Sequence, residues 1–300
     1  MASGCPMTTD TIRVFGRIGL LSFGGPAAQI ALMHKELVEE RDWLTEEEFL
    51  RALSFCMLLP GPEAMQLATY AGWKRQGIPG GLIAGGLFVL PGALVILALA
   101  LAYGAYGALP WVRALFLGVK ATVVVIVLQA LLKIAGRAFK SVTHRWIALG
   151  AFLALFPFAL PFPLVIGLAA LLGALGAHDA SAPAAGPVAR LRHSLIIIVL
   201  GLVIWAAPFL LLGGAQADFL REVGLFFSTL AVVTFGGAYA VLAYMTQEVV
   251  VGYGWLSTAQ MMDALGLAET TPGPLILVTQ FVAMIAGLSQ GGPWLAVAAG

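Results

Sequence analysis

Leu59-Pro60-Gly61-Pro62 interrupts an apolar run that would otherwise be long enough to cross a membrane as one helix. The two prolines remove two backbone donors and fix two φ angles, so no continuous α-helix passes through. The same interruption recurs 212 residues on, at Thr271-Pro272-Gly273-Pro274. That offset also carries Phe23-Gly24-Gly25 onto Phe235-Gly236-Gly237, Trp43-Leu44-Thr45 onto Trp255-Leu256-Ser257, Phe15 onto Phe227 and Glu36 onto Glu248. One unit is present twice, and each copy is broken at a Phe-Gly-Gly and at a Pro-Gly-Pro.

The surroundings of these breaks are lipid-grade. Hydrophobic residues make up 60% of the 300 and charged residues 10%, against about 45–50% and about 25% in soluble domains. The expected fold is an all-α polytopic membrane protein. A net charge of +1 gives no reason to expect a nucleic-acid partner. Cys5 and Cys56 make neither a disulfide framework nor a cysteine metal site, and Met1 to Asp10 lacks the order of a cleaved signal. His34, His144, His178 and His193 lie in or beside loops without metal-ligand spacing, and no nucleophile or phosphate-loop motif occurs. No enzyme activity, metal or cofactor is expected.

Taken in order, 1–176 reads as the first repeat, 177–193 as an Ala/Pro/Gly-rich linker, 194–213 as a connecting transmembrane helix and 214–300 as a second, incomplete repeat. Ile12 to Met33 is spanning length but broken at Phe23-Gly24-Gly25-Pro26, with Pro26 suited to a first helical turn and Ser22 placed as its cap. Leu53 to Trp73, broken at Pro-Gly-Pro, either crosses with a kink or re-enters as a hairpin. Basic residues on both sides favour the hairpin. Ile78 to Tyr103 and Trp111 to Leu132 read as whole spans. The extra span before the second repeat inverts that repeat if the first has an even number of crossings. Charge agrees: Lys35, Arg41, Arg51, Lys74 and Arg75 are read as loop residues of copy one, and the matched Gln247, Tyr253, Asp263, Ala286 and Gly287 are uncharged or acidic. Copy one continues well past Phe88, whose match is Gly300, so further spans are expected beyond this sequence.

Inverted repeats with discontinuous helices hold substrates near the bilayer midplane, because a half-helix N-terminus offers unpaired N–H groups and partial positive charge. Gly24, Gly25, Gly61, Gly236, Gly237 and Gly273 allow close approach to the backbone, and four such ends suit a small dianion. Glycine and proline that merely kink packed helices are the alternative; two different breaks repeated in register favour the site. Lys120, near the centre of its span, is a counter-charge for an anion or a lysine lining a wet crevice. Arg13 and Arg17 read as interfacial topology signals. Glu63 and Glu269 are candidate proton sites: ionised they repel a dianion, protonated they donate to it. Gln66, Thr69, Tyr70, Ser22, Thr234 and Thr271 supply neutral partners, or simply helix-packing polar groups.

Ser22-Phe23-Gly24-Gly25-Pro26, Trp43 with its acidic run, Leu59-Pro60-Gly61-Pro62-Glu63-Ala64-Met65-Gln66, Thr234-Phe235-Gly236-Gly237, Trp255-Leu256 and Glu269-Thr270-Thr271-Pro272-Gly273-Pro274 together resemble the long-chain, two-half chromate ion transporter family. The resemblance covers nearly the whole chain, and it departs in length, since members with both halves run on for several more spans. It implies proton-motive-force-driven export of chromate, an isostere of sulfate, across the inner membrane, with the lipid bilayer as its surroundings and a homodimer left open. A passive oxyanion channel or a sulfate transporter of the same fold, a lipid-acting membrane enzyme and an assembly role are the alternatives.

Overall fold

The computed structural model describes residues 7–138, 142–155, 191–214, 216–234 and 238–300, with scattered positions between 157 and 172. Among these no strand occurs, in keeping with the all-α expectation. The helices are α1 (Met7–Leu21), α2 (Gly25–His34), α3 (Glu46–Cys56), α4 (Glu63–Tyr106), α5 (Pro110–Ala138), α6 (Val142–Leu155), α7 (Leu191–Leu211), α8 (Ala217–Val233), α9 (Ala238–Gln247), α10 (Thr258–Thr270), α11 (Val278–Gly291) and α12 (Pro293–Ala299). Two compact units result, Met1–Leu128 with Glu222–Gly300, and Gln129–Arg221. The proposed linker lies outside the described residues, apart from the start of α7.

In the first unit, matched sequence makes matched local structure. Thr45 and Ser257 each open a helix with a reciprocal capping box, to Glu48 and Gln260, so two otherwise orphaned N–H groups are satisfied at each start. Before each cap lies a π-helical turn, Lys35–Glu39 and Glu248–Gly252. Each turn is followed by a tryptophan whose N–H reaches back: Trp43 to the Leu37 carbonyl at 2.8 Å and Trp255 to the Val249 carbonyl at 2.9 Å. Gly61 and Gly273 both take positive φ, 105° and 91°, a region where a Cβ is strained. One match is imperfect. Copy one restarts as α-helix at Glu63, whereas the corresponding Leu275 begins a 3₁₀ turn, Leu275–Leu277, ahead of α11.

A second turn, absent from the sequence reading, follows the Pro-Gly-Pro. At Gly77 (φ 67°, ψ −152°) α4 reverses, and its arms lie against each other. A Cβ on Gly72 would strike the Gly80 carbonyl and the Ala84 side chain, and one on Gly85 would meet Thr69 Oγ1 at 2.5 Å. Gly292 (φ 82°) makes the same reversal between α11 and α12, where a Cβ on Gly287 would come within 2.7 Å of Ala296 Cα. Small residues are what let apolar helices approach this closely. Around this hairpin Phe15, Ile18, Met33, Leu37, Phe49, Leu67 and Phe88 form a fully buried core.

Charge gathers near the Gly77 turn. Lys74 pairs with Glu48, holding its carboxyl below the usual range, and the Arg75 guanidinium lies 3.7 Å over the Trp43 ring. His34 bonds Glu46 at 2.6 Å, which raises its pKa above the ordinary imidazole value. Glu36, 1% exposed, is neutralised by Arg41 and by Arg17 at 3.3 Å. Arg17 is therefore anchored to a buried acid. Arg51, Lys74, Arg75 and the matched Asp263 lie within helices, not in the loops that the charge count assumed. A charged helix end supplies the same topological signal as a loop, so spacing alone did not separate them.

In the second unit Arg221 donates to the Leu212 carbonyl at 2.8 Å just past α7, where a cation complements the helix dipole. Helix α7 leaves Leu195 through Val203 more than half exposed wherever the side chain is large and apolar.

Gly72→Val is expected to lower the thermal midpoint of the purified chain in detergent, with a cost of about 1–3 kcal/mol for overpacking. Gly86→Val, where nothing lies within 4 Å, is the control and is expected to melt within a degree or so of the parent, as surface changes do.

Candidate functional site

The two Pro-Gly-Pro breaks meet the ends of the other copy's first helix. Gly61 N–H donates to the Thr234 carbonyl at 2.9 Å, just past α8, and Gly273 N–H donates to the Ser22 carbonyl at 3.0 Å, just past α1. The two bonds are the same bond at the 212-residue offset. Ser22 and Thr234 turn their hydroxyls back onto Ile18 and Leu230, at 2.5 and 2.6 Å. Ser22 is thus no cap for α2; Gly24, at φ 84°, holds that position. A hydroxyl on the first residue past α1 finds a carbonyl of the last turn sooner than a donor beyond the glycines.

Pro26, Gly61, Pro62, Glu63, Thr234 and Pro274 surround a cavity of about 40 Å³, together with Gln29 and Leu275, room for about one water. Gln29, 1% exposed, donates from Nε2 to the Gly273 carbonyl at 2.7 Å, and its Oε1 has no partner among the described residues. Gln66 donates to the Pro60 carbonyl at 2.7 Å. Thr271, Pro272 and Gly273 are buried at the same break, and Gly92 of α4 approaches so closely that its Cβ would strike the Pro272 carbonyl. Phe23 and Gly24 are exposed, Gly25 is buried, and Phe235, Gly236 and Gly237 lie outside the described residues. Glu269, half-buried near the end of α10, does not line this cavity.

Lys120 lies elsewhere. Its Nζ is 3.1 Å from Asp263 Oδ1, and the Tyr103 hydroxyl donates to Asp263 Oδ2 at 2.8 Å. These three, with Arg113, line a cavity of about 780 Å³ beside the α4–α5 turn. Among the described residues no group of histidine, cysteine and carboxylate side chains could hold a metal ion.

A sequence model of the family described as chromate transporter matches residues 9–174 and 221–300. The chain belongs to the chromate transporter family. Within that family it is similar to a probable chromate transport protein of Synechococcus elongatus, 32% identical over 95% of this chain and 70% of that one. It is also similar to chromate transport proteins of Pseudomonas aeruginosa, 33% identical over 91% and 65%, and of Cupriavidus metallidurans, 32% over 92% and 67%. The chain thus spans about two thirds of the length of these relatives. No solved structure matches it.

Gln29, Asp263 and Tyr103 escaped the sequence reading as site residues. Gln29 is a polar residue in an apolar half-helix, one turn past Pro26, and that placement was the available signal. Asp263 was visible only as the match of Arg51, and Tyr103 only as the end of the span from Ile78.

Gly273→Ala places a Cβ at φ 91°, 3.0 Å from Leu277 and 3.4 Å from Gly92 Cα. It is expected to cost about 1–2 kcal/mol, the usual left-handed penalty, read as a lowered thermal midpoint. Gly118→Ala, in open space, is expected to leave the midpoint unchanged.

Proposed function

We propose that this chain moves a tetrahedral divalent oxyanion, chromate with sulfate as its analogue, out of the cell as a multi-pass inner-membrane secondary transporter driven by the proton motive force. The observation that carries the reading is the exchange of backbone bonds between the breaks, Gly61 to Thr234 and Gly273 to Ser22. Two oppositely oriented halves, each re-entering the bilayer at its Pro-Gly-Pro, account for a bond that recurs with the partners swapped. Membrane embedding is supported by the arm of α4 after Gly77, residues 78–106, apolar and longer than the roughly 20 residues a span needs, and by the apolar side chains α7 leaves uncovered, which water tolerates poorly and lipid accepts.

Substrate binding is assigned to the half-helix starts at Phe23-Gly24-Gly25-Pro26, Pro60-Gly61-Pro62, Phe235-Gly236-Gly237 and Thr271-Pro272-Gly273-Pro274, with Ser22, Gln66 and Thr234 as neutral partners. The first N–H groups of a helix lack intrahelical acceptors. Gly61 and Gly273 are already bonded, and the cavity between the breaks holds about one water. The described state is accordingly closed, and an oxyanion enters this site only when the halves part, the step that alternating access requires. Glu63 lines the closed cavity with Gln29, whose Oε1 has no partner among the described residues; protonated, it supplies a donor there, and Glu269 is the second candidate, near the second break. Direction follows from charge. A dianion leaving a cell that is 100 mV negative inside gains roughly 4.6 kcal/mol from the potential alone.

Chromate uptake into inverted vesicles is expected to be time-dependent, inhibited by sulfate and abolished by an uncoupler. Gly61→Val is expected to lower it at least about tenfold, since misplacement near a binding site by 1 Å has effects of that order or larger, while the variant still inserts. Uptake indifferent to the uncoupler and linear in gradient identifies a passive channel instead.

A further inference from the structure

Asp263 is 4% exposed and makes both of its polar contacts with the other copy: an ion pair of Oδ1 with Lys120 of α5 and a hydrogen bond accepted by Oδ2 from Tyr103 of α4. A carboxylate this buried stays ionised only while opposite charge and hydrogen bonds compensate for its lost hydration. Lys120 is the cation that does so. It is also a lining residue of the 780 Å³ cavity beside the α4–α5 turn, where Arg113 is a second cation and Asp263 the only acid among the lining residues. The cavity is large enough for a hydrated tetrahedral anion, in contrast to the closed gap between the breaks.

We propose that this cavity is an oxyanion vestibule closed by a Lys120–Asp263 latch: an arriving dianion takes Lys120 from Asp263, and a proton taken up by Asp263 completes the exchange. The physical reason is the state left behind. With Lys120 turned to the anion, an ionised Asp263 would be buried beside two negative charges, with only the Tyr103 hydroxyl to support it. Protonation removes that cost. Protonation beforehand likewise frees Lys120. Anion and proton therefore bind together, and affinity for the anion rises as pH falls.

The groups facing Asp263 are consistent with this sign. From α5 come Lys120 and Arg113, and from α4 comes Tyr103. From α11 come Ile285, Leu288 and Ser289, none of which titrates, and α10 with its cap adds Ser257, Ala259 and Gln260, which do not titrate either. Among the described lining residues no second acid competes for the proton. Because Tyr103 and Lys120 belong to the first repeat and Asp263 to the second, releasing the latch also unpins α5 from α10. Loading of the vestibule is thereby tied to movement of one half against the other. The inference rests on the oxyanion reading above; with one proton carried beside the dianion the exported charge falls from two to one, which the membrane potential still drives outward.

The test is binding of radiolabelled sulfate to the purified chain in nanodiscs across a series from about pH 5.5 to pH 8, where proton linkage shows as a slope. The parent is expected to bind at least about tenfold more tightly at the acid end, one pKa unit of linkage being tenfold. Asp263→Asn, a permanently open latch, is expected to bind tightly with a flat profile, and Lys120→Gln weakly with a flat profile. Tyr103→Phe withdraws a donor from the carboxylate, so its profile keeps its slope and moves to higher pH.

A second readout does not depend on sulfate. Amine-directed labelling of Lys120, followed by mass spectrometry, is expected to be slow in the parent and several-fold faster in Asp263→Asn, as release of an ion-paired amine implies. Parent and Asp263→Asn with the same pH profile, or Asp263→Asn differing only in thermal midpoint, overturns the latch and leaves the oxyanion reading standing. A parent that binds neither sulfate nor chromate at any pH overturns both. Equal labelling of Lys120 in parent and variant overturns the latch whatever binds.

Discussion

A broken helix in an apolar medium leaves backbone groups that nothing nearby can hydrate, and each such group costs several kcal/mol if it stays unpaired. The chain resolves this by exchange. Gly61 and Gly273 donate to the carbonyls that Thr234 and Ser22 leave free at the ends of the opposite copy's first helix. Breaks that would be defects in a single span become the joint between two. Gln29 and Gln66 take up the Gly273 and Pro60 carbonyls with side-chain amides, so the crossing is satisfied mainly by the protein itself.

Close approach is the second half of the solution. Glycine stands where α1 meets α4, where the arms of α4 meet, and where α4 meets the second break, at Gly19, Gly72 and Gly92. A methyl group at any of them collides with backbone on the far side. Without a hydrophobic drive between helices in lipid, such contact is a main source of cohesion, and it sets the breaks at the depth where they can face each other.

What local rules govern was readable from the chain. Pro-Gly-Pro forbids helix whatever surrounds it, and Thr45 with Glu48, like Ser257 with Gln260, makes a cap from residues three apart. The Gly77 reversal was not readable, because Gly-x-Pro also occurs in uninterrupted membrane helices and only the packing of Gly72 on Gly80 distinguishes them. The ion pair of Lys120 with Asp263 joins residues far apart in sequence. Periodicity showed Lys120 as costly in an apolar span without showing what relieved the cost. Gln29 was hidden for a related reason: its matched position is Val241, so a search for repeated features passes over it. The copies share their breaks and differ in the side chains set around them.

The exchanged bond also bears on how the chain is made. Gly61 leaves the ribosome long before Thr234 exists, so its N–H must spend that interval with a provisional acceptor, whether water, a lipid headgroup or a neighbouring nascent chain. Maturation then includes a change of partner inside the bilayer. The first copy is not finished when it is inserted; it is finished when the second arrives.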